Sequence, residues 1–304
     1  MKFLTLIIFS IISIFASILP SDLKNKELNQ PAGYSDTDTS IRAMTFNIRF
    51  DNPNDGPDAW PNRKEFVAST IRFNRADIIG TQEGRHHQLV DLENLLDGFK
   101  WIGVGRDAGD DKGEFTAIFY RSERFEVIEE GTFWHSTTPD VPGSKGWDTA
   151  IPRITTWVRF NDIANNRTFI TFNTHYDHIG EIARKESSRL ILRKIHDLAD
   201  GDPVILMGDF NTTEAEKPYK IITDPDLGPV NLELFDGFYH SVYGHHGPTS
   251  TWNGFERIFP DRRIDYIFVD SNFRVYQHGI LADSKNGQFP SDHLPVVADI
   301  KFMD

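Results

Sequence analysis

Nine short segments rich in β-branched and aromatic residues recur along the chain, each bounded by Gly, Asn, Asp or Pro. Such segments are typical of β-strands. Three longer stretches with apolar residues at helical spacing lie between some of them. The strand-like segments cover residues 41–50, 76–83, 101–105, 115–120, 154–160, 168–176, 203–210, 263–269 and 295–302, and the helical stretches cover 62–73, 86–96 and 181–199.

The order of these segments predicts the fold class. Helices alternate with strands early in the chain, whereas strands follow one another directly in the middle and at the end. This mixture predicts an α/β fold with mixed sheets and disfavours a purely parallel, doubly wound sheet. Because no linker-like sequence occurs after residue 41, we expect one large domain over residues 41–304.

The N-terminal sequence resembles a targeting segment. Residues 3–19 form an apolar run that follows a single charge, Lys2, and precedes polar sequence. We expect a secretory signal peptide over residues 1–20, with an uncleaved membrane anchor as the alternative because the run nearly reaches bilayer-spanning length. Residues 21–40 are predicted to be a linker. The protein is therefore expected to be exported, to the periplasm or outside the cell, and membrane-anchored if residues 3–19 are retained.

Composition excludes several kinds of site. The chain has no cysteine, which rules out disulfides, thiol nucleophiles, cysteine-ligated zinc and iron–sulfur clusters. Its 45 acidic and 32 basic side chains leave a formal net charge of −13. Tight, sequence-independent binding to long nucleic acids depends on basic side chains, so this acidity argues against it. A small phosphorylated substrate remains compatible with the charge.

Polar residues suited to chemistry lie at or near the ends of strand-like segments, where loops gather and sites are built. Asp209 and Asn211 close the segment PVILMGDFN, and alternation along an extended chain predicts that both point to the same side. An Asx turn that ends the strand is the alternative interpretation. Asp265 lies among apolar residues and needs a partner, for which His293 or an arginine is suited. The remaining members of this group are Asn47, Glu83, His175 and Asp292.

The chemistry of this group indicates phosphoester hydrolysis. Its carboxylates and amide offer oxygen ligands, which favour magnesium, manganese or calcium over zinc. Two histidines, His175 and His293, offer proton-transfer groups that titrate near neutral pH. A hard cation neutralises a phosphate and stabilises the leaving oxygen, while a histidine–aspartate pair activates or orients water.

Six short blocks occur in the order FNIR, QE, NTH, GDFN, IDYIF and SDHLP, spanning Asn47 to His293. With them the chain resembles the endonuclease/exonuclease/phosphatase superfamily, which includes pancreatic-type deoxyribonucleases, neutral sphingomyelinases and inositol polyphosphate 5-phosphatases. The blocks are most similar to those of the deadenylase/nocturnin branch. Each block is weak alone, but all six in one order are specific. The resemblance implies a four-layer α/β sandwich, with two mixed β-sheets packed face to face and helices outside.

The resemblance also implies which residues handle the metal and the water. Asn47, Glu83 and Asp292 are implied to hold Mg²⁺, for which Mn²⁺ is a substitute and Ca²⁺ a poorer one. Asp209 is implied to orient or deprotonate the attacking water. Asn211 is implied to position that water or to contact the phosphate.

The same resemblance implies the residues around the phosphate. His293, paired with Asp265, is implied to contact the scissile phosphate, and His175 to be a second phosphate contact or a proton donor. Asn173 is expected to support the site or to contact the substrate.

Four further residues are candidate substrate contacts on weaker grounds. An arginine and an aromatic ring together can grip a phosphate and a sugar or base. A salt bridge at the rim and ordinary packing are the alternative interpretation for each, and a solvated loop for the histidine. The four residues are Arg121, Trp147, Arg153 and His178.

Three functions are compatible with these residues. The first is an exported, magnesium-dependent phosphodiesterase or phosphatase that acts on a small or lipid-linked phosphoester. The second is a nuclease, most plausibly a 3′–5′ exonuclease-like enzyme, with nucleic acid as its partner. The third, an inactive binding module on the same scaffold, is disfavoured because every motif position holds a chemically competent residue. The sequence indicates no particular protein partner.

Overall fold

The computed structural model describes residues 39–303. The predicted signal peptide or anchor, and nearly all of the predicted linker, lie outside the described residues and stay predictions. Within residues 39–303, no helix combines the length and the apolar character that a bilayer span requires.

Thirteen strands and five α-helices make up this part of the chain. The strands are β1 Ile41–Asn47, β2 Ile78–Gln82, β3 Phe99–Ile102, β4 Ile118–Arg121, β5 Phe125–Trp134, β6 Ile154–Asp162, β7 Arg167–His175, β8 Val204–Asp209, β9 Phe235–Asp236, β10 His245–His246, β11 Asp265–Val269, β12 Phe273–Ile280 and β13 Val296–Phe302. The helices are α1 Trp60–Phe73, α2 His86–Leu95, α3 Glu181–Ala199, α4 Lys217–Thr223 and α5 Gly237–His240, and a 3₁₀ helix covers Pro53–Asp58.

These strands form two mixed sheets. The first sheet has seven strands in the order β10–β12–β13–β1–β2–β4–β3, and the second has six in the order β5–β6–β7–β8–β11–β9. Strands β1 and β2 are parallel, as are β7 and β8, whereas β8 and β11 are antiparallel. The predicted α/β class with mixed sheets is confirmed.

Three apolar clusters place the sheets and helices in layers. The central cluster fills the space between the two sheets, with residues such as Ile78 from one and Ile205 from the other. A second cluster packs α1 and α2 against the first sheet, and a third packs α3 and α4 against the second. Burial of each large apolar side chain contributes about 1.5–3 kcal/mol, so these layers supply most of the driving force for folding. The implied four-layer sandwich is confirmed.

One buried amide connects the sheets. Asn173 on β7 donates from Nδ2 to the carbonyl oxygens of Thr81 and Ala117, each at 2.9 Å, and its Oδ1 accepts from Nε2 of Gln82 at 2.6 Å. A Cβ on Gly80 would lie 2.6 Å from Asn173 Oδ1, so the close approach requires glycine there. The carboxyl-terminal ends of β2 and β7 are therefore held in a defined relation.

Two long strands, β5 and β12, do not appear in the sequence-based assignment. Strand β5 lies at the edge of its sheet and exposes Glu126, Glu129 and Glu130. A strand with one face in water carries a weaker apolar signal. The helical faces were also predicted imperfectly, because Phe73 is 82% exposed and Ile182 is 51% exposed. Both lie in the terminal turn of their helix.

His278 on β12 makes the stability of the fold depend on pH. Its side chain is 3% exposed, and its Nδ1 lies 2.9 Å from Nδ1 of His245. Burial, and then the nearby His245 and Arg263, lower the pKa of His278 to about 3. In the unfolded chain the same imidazole titrates at about 6.5. The unfolded state therefore binds a proton first, and stability is lost as the pH falls from about 6.5 towards 3.

Between neutral pH and about pH 5, wild type is expected to lose about 2 kcal/mol of unfolding free energy through protonation of His278 in the unfolded state. His278→Asn is expected to lose about that much less over the same pH interval. The measurement is the change in unfolding free energy between these two pH values, from urea denaturation of wild type and variant. His246→Asn, at an exposed position of β10, is the control. An equal loss in wild type and His278→Asn would contradict the assignment.

Candidate active site

The predicted site residues meet at one edge of the sandwich. On neighbouring strands of the second sheet, His175 is the register partner of Asp209, and Asp209 is the partner of Asp265. In the first sheet, Asn47 ends β1 beside Gln82, which immediately precedes Glu83. The parallel pairs bring these carboxyl-terminal ends to the same edge of each sheet.

Four of the predicted side chains form a buried cluster. His293 Nδ1 lies 2.9 Å from Asp265 Oδ2, and His293 Nε2 lies 3.9 Å from Asp209 Oδ2. On the other side, His175 Nε2 lies 3.5 Å from the same Asp209 oxygen. All four side chains are buried. Asp209 is thus flanked by two imidazoles, one of which is held by a second carboxylate.

Electrostatics within the cluster shift its proton affinities. Burial, and then the negative charge of Asp265, raise the pKa of Asp209 to about 7. Burial disfavours a charged His293, but the carboxylates of Asp265 and Asp209 outweigh it and hold its pKa well above the usual value. A carboxylate with a pKa near neutrality can exchange a proton with water efficiently at that pH.

A second group lies beside this cluster. Asn47 Nδ2 donates to Glu83 Oε1 at 3.1 Å and to Asp209 Oδ2 at 3.0 Å, so one amide connects the two groups and the two sheets. Glu83 has φ of 64°, in the left-handed region that side-chain-bearing residues rarely adopt. Arg49 Nη1 lies 3.7 Å from both Glu83 Oε2 and Asp292 Oδ2. The two carboxylates therefore face a common space.

This oxygen-rich group is chemically suited to a hard cation. Burial raises the pKa of Asp292, and the charge of Glu83 raises it further, because the two partly buried carboxylates repel each other. A divalent cation bound by oxygen ligands removes that repulsion. In the structure, Asn47 donates its NH₂ group to the carboxylates. To act as a cation ligand, its amide must instead direct its oxygen towards the cation.

Another candidate cation position lies within the first cluster. Ligand atoms of Asp209, Asp265 and His293 lie within 4.8 Å of one another. However, Asp265 and His293 already bond to each other at 2.9 Å, and a cation between them would break that bond. The pair fits a hydrogen-bonded relay better than a ligand set, so we favour the group around Glu83 and Asp292.

Asn211 departs from the predicted alternation. Strand β8 ends at Asp209, and Asn211 has φ of 46°, so the chain is no longer extended there. Asp209 Oδ1 accepts from the backbone N–H of Asn211 at 2.9 Å, which is the Asx turn considered as the alternative. Asn211 Nδ2 donates to the Tyr176 carbonyl oxygen at 3.0 Å. The alternation argument was wrong because the strand stops two residues earlier.

The structure separates the four weaker candidates. Arg153 and His178 lie beside His175, with Arg153 Nη1 3.0 Å from the ring nitrogens of His175 and Nη2 2.8 Å from His178 Nδ1. Trp147 is 36% exposed on a loop. Two residues of the same loop, Thr149 through Oγ1 and Ala150 through its backbone N–H, donate hydrogen bonds to Asp177, the neighbour of His178.

Arg121 and Asn173 make their contacts within the protein, and the position of Asn173 fits the supporting role expected for it. Arg121 ends β4 and lies 3.4 Å from Asp77, which precedes β2, whereas Glu83 follows the other end of β2. Six residues of extended chain span about 20 Å, which removes Arg121 from the site. Asn173 is fully buried, and its amide bonds only within the protein, so it supports the site and does not reach a substrate.

Three residues at the site were not singled out from the sequence. Arg49 lies between Glu83 and Asp292, and its place in the block FNIR was the available signal. Ser291 donates to the Asn47 carbonyl oxygen at 2.7 Å and so anchors the segment that carries Asp292. Arg106 forms two hydrogen bonds to Glu114, at 2.5 and 2.8 Å, and after burial and Arg153 its positive charge also lowers the pKa of His175. Nothing local distinguishes Arg106 from other loop arginines.

Comparison with known proteins shows the family of this chain. Residues 44–293 match the model of the endonuclease/exonuclease/phosphatase family. The chain belongs to this family. Its members hydrolyse phosphoesters and typically depend on divalent cations.

Solved structures of the family superpose on nearly all described residues. A family protein from Bacteroides thetaiotaomicron is 38% identical, with a TM-score of 0.81 over 87% of this chain and 98% of that one. A mannosyl-6-phosphatase from the same organism is 38% identical, with a TM-score of 0.80 over 86% of this chain and all (100%) of that one. The human nocturnin catalytic domain, crystallised with bound sulfate, is 21% identical, with a TM-score of 0.67 over 87% of this chain and 94% of that one.

Two curated relatives are more distant and longer. A mimivirus protein is 24% identical over 87% of this chain, and Drosophila melanogaster nocturnin is 23% identical over 80% of it. The chain spans 47% and 42% of their respective lengths.

Proposed function

We propose that this chain is a magnesium-dependent phosphoester hydrolase that acts on a small or lipid-linked phosphoester. The observation that carries the proposal is the arrangement of the two groups that Asn47 connects. Asp209, flanked by histidines, lies on one side of its amide, and the carboxylate of Glu83 lies on the other. This arrangement provides a water-activating cluster and a cation site at the same sheet edge.

The residues divide the chemistry between them. Asp209, with a pKa near 7, accepts a proton from the attacking water, and Asn211 helps to position that water. His293 carries a positive charge that Asp265 stabilises, and it contacts a phosphate oxygen. His175 contacts the phosphate from the opposite side of Asp209. Glu83 and Asp292 would hold a divalent cation, which would supply neutralisation of the phosphate and stabilisation of the leaving oxygen.

Two observations support a small substrate. The net charge of −13 disfavours a long polyanion, because affinity for nucleic acid comes mainly from basic side chains. A relative with 38% identity is named as a mannosyl-6-phosphatase, which supports a phosphorylated sugar as the substrate class. The likeness to nocturnin is at 21% identity and supports the shared fold alone, so a nuclease is the alternative outcome of the tests below.

We expect hydrolysis of one or more sugar phosphates that requires Mg²⁺ or Mn²⁺ and stops when EDTA is added. The test is a panel of sugar phosphates, nucleotides, inositol phosphates, sphingomyelin, and single-stranded DNA and RNA, assayed for released phosphate or cleaved product. Faster cleavage of nucleic acid than of any small ester would favour the nuclease. Inactivity of folded, metal-supplied protein on the whole panel would refute the enzyme.

The two groups are expected to respond differently to substitution. Glu83→Gln should weaken Mn²⁺ binding at least about tenfold, whereas Asp265→Asn should leave Mn²⁺ binding nearly unchanged and lower turnover by about two orders of magnitude. Calorimetric titration with Mn²⁺ and steady-state kinetics measure these effects. Loss of Mn²⁺ binding in Asp265→Asn, with normal binding in Glu83→Gln, would instead place the cation between Asp209, Asp265 and His293.

We also propose that the protein is exported, on the basis of the apolar run at residues 3–19. Cell fractionation of the full chain is expected to recover it outside the cytoplasm, and N-terminal sequencing of that material distinguishes cleavage from anchoring. A full-length cytoplasmic product would contradict export.

A further inference from the structure

Arg153 is an unusually placed arginine. It immediately precedes β6, and its side chain is 4% exposed at the edge of the site. Its Nη1 lies 3.0 Å from both ring nitrogens of His175, and its Nη2 lies 2.8 Å from His178 Nδ1. Its Nε is buried without a hydrogen-bond partner. The nearest paired carboxylate oxygen, on Asp177, is 3.7 Å from Nε, beyond hydrogen-bonding distance.

The hydrogen-bond partners of Arg153 carry no negative charge, and its ion pair with Asp177 at 3.7 Å is not hydrogen-bonded. A guanidinium group only donates hydrogen bonds, so His178 Nδ1 must be an unprotonated acceptor, and a ring nitrogen of His175 must be one as well. Both imidazoles are then neutral while they bond to Arg153. The guanidinium has five N–H groups, and these two bonds leave one N–H free on each of Nη1 and Nη2.

Other arginines at the site are paired directly with carboxylates. Arg106 forms two hydrogen bonds to Glu114, and Arg49 forms two to Asp55, at 3.1 and 3.3 Å. Arg153 is more deeply buried than either and has no such bond among the described residues. A buried charge whose only described ion pair lacks a hydrogen bond is costly, and a site that retains one is a candidate for binding an ion of opposite sign.

We propose that Arg153 binds the terminal oxygens of a phosphate monoester and makes the site selective for monoesters over diesters. A monoester phosphate carries a charge near −2 and three terminal oxygens at neutral pH, whereas a diester carries a single charge and two. One unused N–H on each of Nη1 and Nη2 would allow Arg153 to donate to two phosphate oxygens at once. This inference rests on the proposed hydrolase function and specifies its substrate class.

A purely structural role is the competing explanation. Arg153 also links His175 to the loop that carries His178, and its loss could simply displace His175. Displacement of His175 would slow the hydrolysis of every phosphoester to the same extent. Selectivity between two esters therefore separates the two roles.

The experiment compares p-nitrophenyl phosphate with bis-p-nitrophenyl phosphate, which share a leaving group and differ in the charge of the phosphate. In Arg153→Gln, kcat/KM for the monoester is expected to fall about 10- to 100-fold more than kcat/KM for the diester. Arg153→Lys keeps the positive charge but loses the two-pronged donor geometry of the guanidinium group. Its ratio of monoester to diester kcat/KM is therefore expected to lie between those of wild type and Arg153→Gln. Arg193→Gln, at an exposed position on α3, is the matched control.

A binding measurement provides a second readout. Calorimetry of the Mg²⁺-supplied protein should show that Arg153→Gln weakens the binding of inorganic phosphate more than that of dimethyl phosphate. An equal loss of kcat/KM for both esters, together with an equal loss of affinity for both anions, would overturn the proposal and leave Arg153 as a positioning residue. If Arg153→Gln does not fold, Arg153→Lys decides, because an unchanged monoester-to-diester ratio contradicts bidentate recognition. Wild-type protein inactive on both esters would instead count against the hydrolase function.

Discussion

The buried amide of Asn173 is the interaction on which the geometry of the site depends. It donates to two carbonyl oxygens of the opposite sheet and accepts from Gln82, so every polar atom of the amide is used in joining the two sheets. Apolar packing between sheets has no direction and would allow small sliding movements. Directional hydrogen bonds in a dry interior do not allow such sliding, and they set the distance between the strand ends that carry Glu83 and His175.

Asn47 repeats this arrangement at the site itself, where its amide lies between carboxylates from different sheets. The surrounding charges set the proton affinities of the site. Asp209, Asp265, Glu83 and Asp292 are buried or partly buried carboxylates brought close together, and Arg49 and His293 offset part of their mutual repulsion. A site held in this state favours the binding of a divalent ion and the transfer of a proton at neutral pH.

Much of this site could be predicted from the sequence, because strand ends and short blocks are local features. Asn47, Glu83, His175, Asp209, Asp265, Asp292 and His293 all lie at the common sheet edge. The errors have physical causes of other kinds. Asn211 lies in a turn, where the side-chain alternation of an extended strand no longer applies. Arg121 lies at the end of a strand at the opposite edge of the sheet from the site. Strand β5 was not predicted because its exposed face carries glutamates.

The sequence by itself determined the fold class, the family and the chemical character of the site, since apolar periodicity and motif order depend only on neighbours along the chain. Only the tertiary structure decided which groups face each other. The pKa of Asp209 depends on Asp265 and His293, which are distant in sequence, and on burial by both sheets. The neutral histidine partners of Arg153 likewise became visible only in the tertiary structure, because electrostatic energy depends on distance and on exclusion of water.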